Sequence, residues 1–282
     1  MAELLGFDSL NELMTRPRST HHEKSSIKNV IITGGSSGIG FETAKQLLES
    51  KTFRVILIGK SRSKLEEAQK QLLKADVPSD LVAIFPCDLR DTPQIKKTVE
   101  KILSVHKSVY GLVNNAGIYP FGGALTTTEA SWDEAMNVNL KAPFLFIQSV
   151  TEAMANNPNH EGGRIINVSS TAGLLPNHFA MAYSVSKAAL IHLTKTLAKE
   201  LGKDNITVNC VCPGIVRTPL HEAYHHNDNE LESFYAKRGA AFPLGRVGEP
   251  KDVAGAIRFF LTPEAAWVTG DIFVVDGGRL LL

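Results

Sequence analysis

"NVIITGGSSGIG", residues 29–40, decides the fold. Asn29 to Thr33 is a short, β-branched run that reads as a strand. Glycines at 34, 38 and 40 then turn the chain tightly and let backbone approach a ligand closely. The periodic pattern over 39–50 reads as a helix. A helix start placed so offers unpaired N–H groups and a positive dipole end to a pyrophosphate. The spacing is G-x-x-x-G-x-G rather than G-x-G-x-x-G. Its place between a first strand and a first helix still favours dinucleotide binding over a plain turn. Gly34, Ser36, Ser37, Gly38, Ile39 and Gly40 are the candidate contacts.

Outward from this stretch the same alternation continues. Strand-like runs recur at 54–58, 81–85, 109–113, 164–169, 206–211 and 272–276. Helical patterns lie at 64–75, 92–106, 131–155, 183–201 and 250–261. Strands alternating with helices predict βαβ units and a parallel sheet buried on both faces. About seven strands favour an α/β, Rossmann-like, doubly wound open sheet over a closed eight-stranded barrel. Right-handed crossovers would put a ligand outside the carboxyl ends of the strands, where strand order reverses. One domain is expected over residues 29–282, with residues 1–28 as an N-terminal extension and linker.

Bulk properties narrow the class. The 282 residues are 43% apolar and 21% charged, enough to bury a sizeable core. Thirty basic against twenty-nine acidic residues leave a charge of +1, so no global field points to nucleic acid or an anionic membrane. No stretch approaches 18 apolar residues, so no membrane span is expected. Cys87, Cys210 and Cys212 lack metal-site spacing and are too few for a disulfide framework. Buried thiols and a reducing, cytoplasmic setting are the expectation.

Two further stretches carry chemistry. Past the second strand, "ILIGKSRSK" has no carboxylate where one would hold the ribose 2′-hydroxyl of NAD. Lys60 and Arg62 would instead pair with the 2′-phosphate of NADP(H), which makes NAD(H) the lesser candidate. In "AYSVSKAAL", residues 182–190, Tyr183 and Lys187 share one helix face. A cation near a phenol stabilises phenolate and would lower the Tyr183 pKa toward neutrality. On spacing alone, however, an ordinary half-buried Tyr beside a solvated Lys is the favoured reading, and the rest of the sequence has to decide.

The motifs "TGGSSGIG" (33–40), "CDL" (87–89), "NNAG" (114–117), "NVSS" (167–170), "YSVSK" (183–187) and "CPGIV" (212–216) occur in this order. Together they resemble the short-chain dehydrogenase/reductase family over about residues 29–279, with 3-oxoacyl reductase-like members as the familiar relatives. The resemblance implies a catalytic set of Asn139, Ser170, Tyr183 and Lys187. Ser170, thirteen positions before Tyr183, would hold the substrate oxygen, with Ser169 as its neighbour and competitor. Asn139 would position a water in a proton relay; Asn137 would cap or pack. Asn114 would bridge backbone beneath the cofactor, while Asn115, Ala116 and Gly117 line the adenine-ribose path. Asp88, beside Leu89, resembles a carboxylate near the adenine amine, and would equally serve to cap the following helix. Pro213, Gly214, Ile215 and Thr218 would meet the nicotinamide end, where Tyr183 and Lys187 also contact the cofactor.

The implied chemistry is hydride transfer between a nicotinamide and a carbonyl or secondary alcohol, with no metal. One alternative is a 3-oxoacyl-thioester reductase acting on a carrier protein or CoA. "NNPNHEG" and Asp204 near the site mouth weaken the carrier-protein form of it. An alternative of another class is a non-catalytic dinucleotide-binding redox sensor, against which the intact tetrad argues. Residues 217–240 would form a substrate lid, with His221, His225 and His226 solvent-facing rather than zinc-binding. The helical patterns at 131–155 and 183–201 resemble a subunit-pairing surface, and a homotetramer, or else a dimer, is expected.

Overall fold

Thr33 ends a strand that is buried from Asn29 onward, and the chain builds outward from it as the pattern requires. The structure, a computed structural model, describes residues 27–74, 77–222 and 227–282. The strands are β1 Lys28–Thr33, β2 Phe53–Gly59, β3 Val82–Pro86, β4 Gly111–Asn114, β5 Gly163–Val168, β6 Ile206–Pro213 and β7 Ile272–Val275. Helices α1 Gly38–Leu48, α2 Arg62–Leu72, α3 Thr92–His106 and α4 Glu129–Met136 follow the first four strands. They are joined by α5 Ala142–Ala155, α6 Met181–Leu201, α7 Pro219–Glu222, α8 Asp228–Ala240 and α9 Pro250–Phe260.

All seven strands pair in parallel in the order β3-β2-β1-β4-β5-β6-β7. Order reverses between β1 and β4, so the crevice outside their carboxyl ends is the natural ligand site. Alternate strand residues feed opposite layers. Val30, Ile32, Val55 and Leu57 pack with Leu47, Ile257 and Phe260 of α1 and α9. Ile31, Ile56, Ile58 and Leu112 pack with Val99, Phe146 and Leu197 of α3, α5 and α6. Both sheet faces are thus buried, which is why the strands read as continuous apolar runs.

Two boundaries differ from the sequence reading. β1 begins at Lys28, inside the segment taken as an extension, because Lys28 pairs with Phe53 and Ile27 packs on the core. Residues 1–26 of that segment lie outside the described residues. The pattern over 131–155 is interrupted by a π-turn at Asn137–Lys141, between α4 and α5. Such bulges widen the backbone spiral and re-aim side chains. Here the bulge carries Asn139, fully buried, into the protein interior.

Candidate active site

A cleft of about 1250 Å3 opens at the crevice predicted by the strand order, lined from β1 by Gly34 and from β4 by Asn115 to Tyr119. At one end the chain leaves β1 with Gly34 at φ +65°. Gly40 must also lack a side chain, since a Cβ there would fall 2.4 Å from the Gly34 carbonyl oxygen. Asn115 Nδ2 donates to the carbonyls of Thr33 and Gly34 at 3.0 and 3.3 Å. The Thr33 hydroxyl accepts from the backbone of Asn115 and Ala116. Ser37 precedes α1 without a side-chain cap, and no acidic residue stands in the first turn. The N–H groups at the α1 start therefore stay open where Ser37, Gly38 and Ile39 line the cleft. This donor set fits a pyrophosphate.

The bridging role expected of Asn114 belongs to Asn115. Asn114 donates instead to Asn167 Oδ1 at 2.9 Å, across the β4–β5 pair. The two side chains alternate across the strand end, so only the second can reach the glycine turn.

Beyond β2 and β3, Lys60 Nζ lies 3.4 Å from Asp88 Oδ2. Arg90 also grips Asp88, with Nη2 at 2.6 Å from Oδ2. The Arg90 hydrogen bonds hold the Asp88 carboxyl well below the usual carboxylate range. Asp88 does not cap α3; Asp91 does, accepting from Gln94 N at 3.0 Å. Arg62 pairs with Glu66 one turn along α2 at 3.5 Å. Leu89 packs on the core, and Ser36 faces Gly59. Ser36, Gly40, Lys60, Arg62, Asp88, Leu89 and Asn139 thus do not line the cleft wall, whereas the other candidates do.

At the opposite end β5 and α6 bring Ser170, Tyr183 and Lys187 together, all buried. Ser169 and Ser170 divide their work. The Ser169 hydroxyl donates to the Lys187 carbonyl at 2.8 Å and ties β5 to α6. Ser170 accepts from Ala172 N at 3.1 Å and hydrogen-bonds Tyr183. Lys187 Nζ donates to the Val168 carbonyl at 2.8 Å. Asn139 accepts from Ile118 N and donates to Ile118 O, both at 2.9 Å, and donates to Ser186 at 3.1 Å. A Cβ on Gly117 would sit 3.2 Å from Asn139 Oδ1 and 3.5 Å from Lys187 Nζ, so this backbone runs directly over both.

The electrostatics correct one expectation. Burial pushes Tyr183 up to about 12, with the Ser170 hydrogen bond opposing it. Burial pulls Lys187 down to about 8. The i, i+4 spacing leaves the Lys187 ammonium 5.7 Å from the Tyr183 ring centroid. At that separation desolvation outweighs attraction, so the phenol is not lowered toward neutrality.

Cys210 and Cys212 are buried thiols with sulfurs 3.8 Å apart, as their alternation predicted. Pro213, Gly214, Ile215 and Thr218 follow them onto the cleft wall. His221 is half-buried on the cleft wall, with its ring 6.1 Å from that of Tyr119 and 5.8 Å from that of Phe234. His225 and His226 lie outside the described residues.

Tyr119, Asn177 and Arg279 are among the cleft residues that escaped the sequence reading. Tyr119 stands edge-on to Tyr183 at 4.5 Å, and its hydroxyl accepts from Asn177 Nδ2 at 2.8 Å. Arg279, after the last strand, reaches back to donate to the Thr171 hydroxyl. Tyr119 follows directly on "NNAG", so the strand-end rule could have found it. Asn177 and Arg279 sit in segments with no local pattern pointing at the cleft.

Comparison with known proteins agrees with this geometry. A family model described as enoyl-(acyl carrier protein) reductase matches residues 34–279. The chain is 36% identical over 255 residues to a 3-oxoacyl-[acyl-carrier-protein] reductase of Thermotoga maritima, covering 90% of this chain and 98% of that one. It is 35% identical to a 3alpha-hydroxysteroid dehydrogenase of Mediterraneibacter gnavus, covering 89% and 96%. The crystal structure of levodione reductase superposes with a TM-score of 0.83 at 26% identity, covering 90% and 98%. The chain belongs to the short-chain dehydrogenase/reductase family, a family of oxidoreductases that bind nicotinamide dinucleotides.

Proposed function

We propose that this chain is an NADP(H)-dependent oxidoreductase interconverting a carbonyl compound and a secondary alcohol, with Tyr183 as acid and base. The observation that carries the reading is a convergence. Buried Ser170, Tyr183 and Lys187 meet at one end of a cleft whose other end is an uncapped helix start. A bound nicotinamide dinucleotide supplies the hydride at the carbonyl carbon. Tyr183 gives its phenolic proton to the carbonyl oxygen, and Ser170 donates a hydrogen bond to that oxygen as charge develops. Lys187 stabilises the phenolate left behind. Asn139 anchors Ile118, whose backbone borders the cleft beside Lys187. Oxidation of the alcohol uses the same groups in reverse.

Preference for the 2′-phosphorylated cofactor is supported by the missing acid at the end of β2 and by Lys60, whose side chain is two-thirds exposed. Likeness to the Thermotoga maritima enzyme supports a second reading, reduction of a 3-oxoacyl thioester on a carrier protein or CoA. Assembly as a homotetramer, or else a dimer, is supported by exposed Trp267, Phe273, Val274 and Leu281 near the chain's end. Among the described residues no helix is long and apolar enough to cross a membrane.

The test is titration with NADPH and NADH, then cofactor oxidation across a panel of ketones and 3-oxoacyl thioesters, wild type beside Tyr183→Phe. Tight NADPH binding with turnover falling roughly 100- to 10,000-fold in the variant is the expected result. Tight binding with no turnover, and no difference between the proteins, would establish the sensor instead.

A further inference from the structure

The substrate half of the cleft holds two guanidinium groups that the hydride chemistry does not use. Arg279 and Arg238 both line it. Arg279 is half-buried and spends one donor on Thr171, the residue after Ser170. Arg238 extends from α8 over the Phe234 ring at 5.6 Å. Among the described residues neither has a carboxylate within 4 Å, whereas Arg54, Arg62, Arg90, Arg217 and Arg246 each have one; Arg164 and Arg258 also lack one but lie away from the cleft. Asp276, an acid whose charge acts on Arg279, is committed elsewhere. Its two oxygens accept from the backbone of Gly278 and Leu280 at 2.9 and 2.8 Å.

We infer that the substrate carries a carboxylate, held by Arg279 and Arg238 while its carbonyl faces Tyr183 and Ser170. This rests on the carbonyl chemistry proposed above and narrows its substrate class to oxo acids and their hydroxy-acid counterparts. Burial pulls Arg279 below its ordinary range, and the charge of Arg238 adds to that effect. A bound anion relieves both costs. A cation pair without its own carboxylate is a poor way to stabilise a fold and a good way to recognise one.

A cofactor phosphate is not the intended anion. The open N–H groups for that lie at the α1 start, where Gly38 faces Thr218. Arg279 borders Thr171, Tyr119 and Tyr183 at the other end. The same end of the cleft is walled by aromatic rings, from Tyr119 through His221 to Phe234, with Phe179 and Phe242 also lining it. An aryl ketone with a terminal carboxylate matches this pairing of aromatic wall and guanidinium groups.

The experiment compares benzoylpropionate with its methyl ester as substrates, in wild type, Arg279→Lys, Arg279→Gln and Arg238→Gln. Wild type should favour the acid by about tenfold or more in kcat/KM, mostly through KM. Either Gln variant should bring the ratio near one, while Arg279→Lys keeps part of it. NADPH affinity should not move. An unchanged ratio in folded Arg238→Gln and Arg279→Lys, or a wild type that favours the ester, overturns the inference.

Equilibrium binding separates this from failure of the oxidoreductase reading. Phenylbutyrate and phenylbutyramide are titrated by calorimetry, with NADPH present. If no ketone turns over, tighter binding of the acid that is lost in Arg279→Gln still upholds the anion site. Equal binding of acid and amide rejects it.

Discussion

The Lys187 ammonium donates to the Val168 carbonyl at 2.8 Å, in a position only 3% exposed. One neutral acceptor does not replace the hydration of a buried cation, and burial accordingly pulls the amine down to about 8 from 10.5. The unfolded chain therefore binds the extra proton between those two values, so stability rises with pH across that window. Below about 8 both states are protonated and the folded state bears the full cost. Removing the amine with Lys187→Met should cancel this slope. Urea unfolding at pH 7 and at pH 10 should show wild type gaining on the variant by on the order of 3 kcal/mol. An equal difference at the two pH values would contradict it.

Asn139 is the second buried polar group whose loss has a calculable cost. Its amide satisfies both the N–H and the C=O of Ile118 and also reaches Ser186. Asn139→Ala would orphan two backbone groups in a fully buried site, costing roughly 2–4 kcal/mol. Because Ile118 borders the cleft beside Lys187, turnover should fall as well, with cofactor affinity less affected. Denaturant midpoints and single-turnover rates measured together check both halves.

These side chains show what a sequence can and cannot reveal. The glycine turn, the parallel alternation and the sharing of one helix face by Tyr183 and Lys187 follow from spacing, because strand ends and helix faces are local properties. Ser170, by contrast, entered only through the resemblance of the ordered motifs to the family. The π-turn carrying Asn139 was not legible, since "NVNLK" continues the helical pattern on both sides. The phenol's upward shift depends on burial, which spacing does not report. Asn114 and Asn115 could be assigned only once the Thr33–Gly34 carbonyls had a position. Arg279 reaches Thr171 across 108 residues of chain, a contact that only the folded chain creates.

Lys60 and Arg62 give a prediction about cofactor choice. Both are exposed, and their ion pairs with Asp88 and Glu66 are weak surface contacts. Lys60→Ala/Arg62→Ala should leave stability within about 0.5 kcal/mol. If they receive a 2′-phosphate, NADPH affinity should fall roughly 10- to 100-fold while NADH affinity holds. The wild-type preference should also weaken with added salt. Equal losses for both cofactors would remove these residues from the adenine end.

Two glycines in helices should respond in opposite directions to the same substitution. Gly40, in the first turn of α1, would place a Cβ 2.4 Å from the Gly34 carbonyl oxygen, and that backbone cannot retreat without opening the turn. Gly40→Ala should destabilise by about 1–3 kcal/mol and weaken dinucleotide binding. Gly255, exposed in the middle of α9, has nothing within 4 Å of its added Cβ. There alanine only removes unfolded-state freedom and improves helix propensity, so Gly255→Ala should stabilise by roughly 0.5–1 kcal/mol. Thermal unfolding of the two variants, with and without NADPH, decides the matter. Tolerance of alanine at 40 with unchanged ligand-induced stabilisation would mean that the close approach of α1 to the turn is not needed for the cofactor.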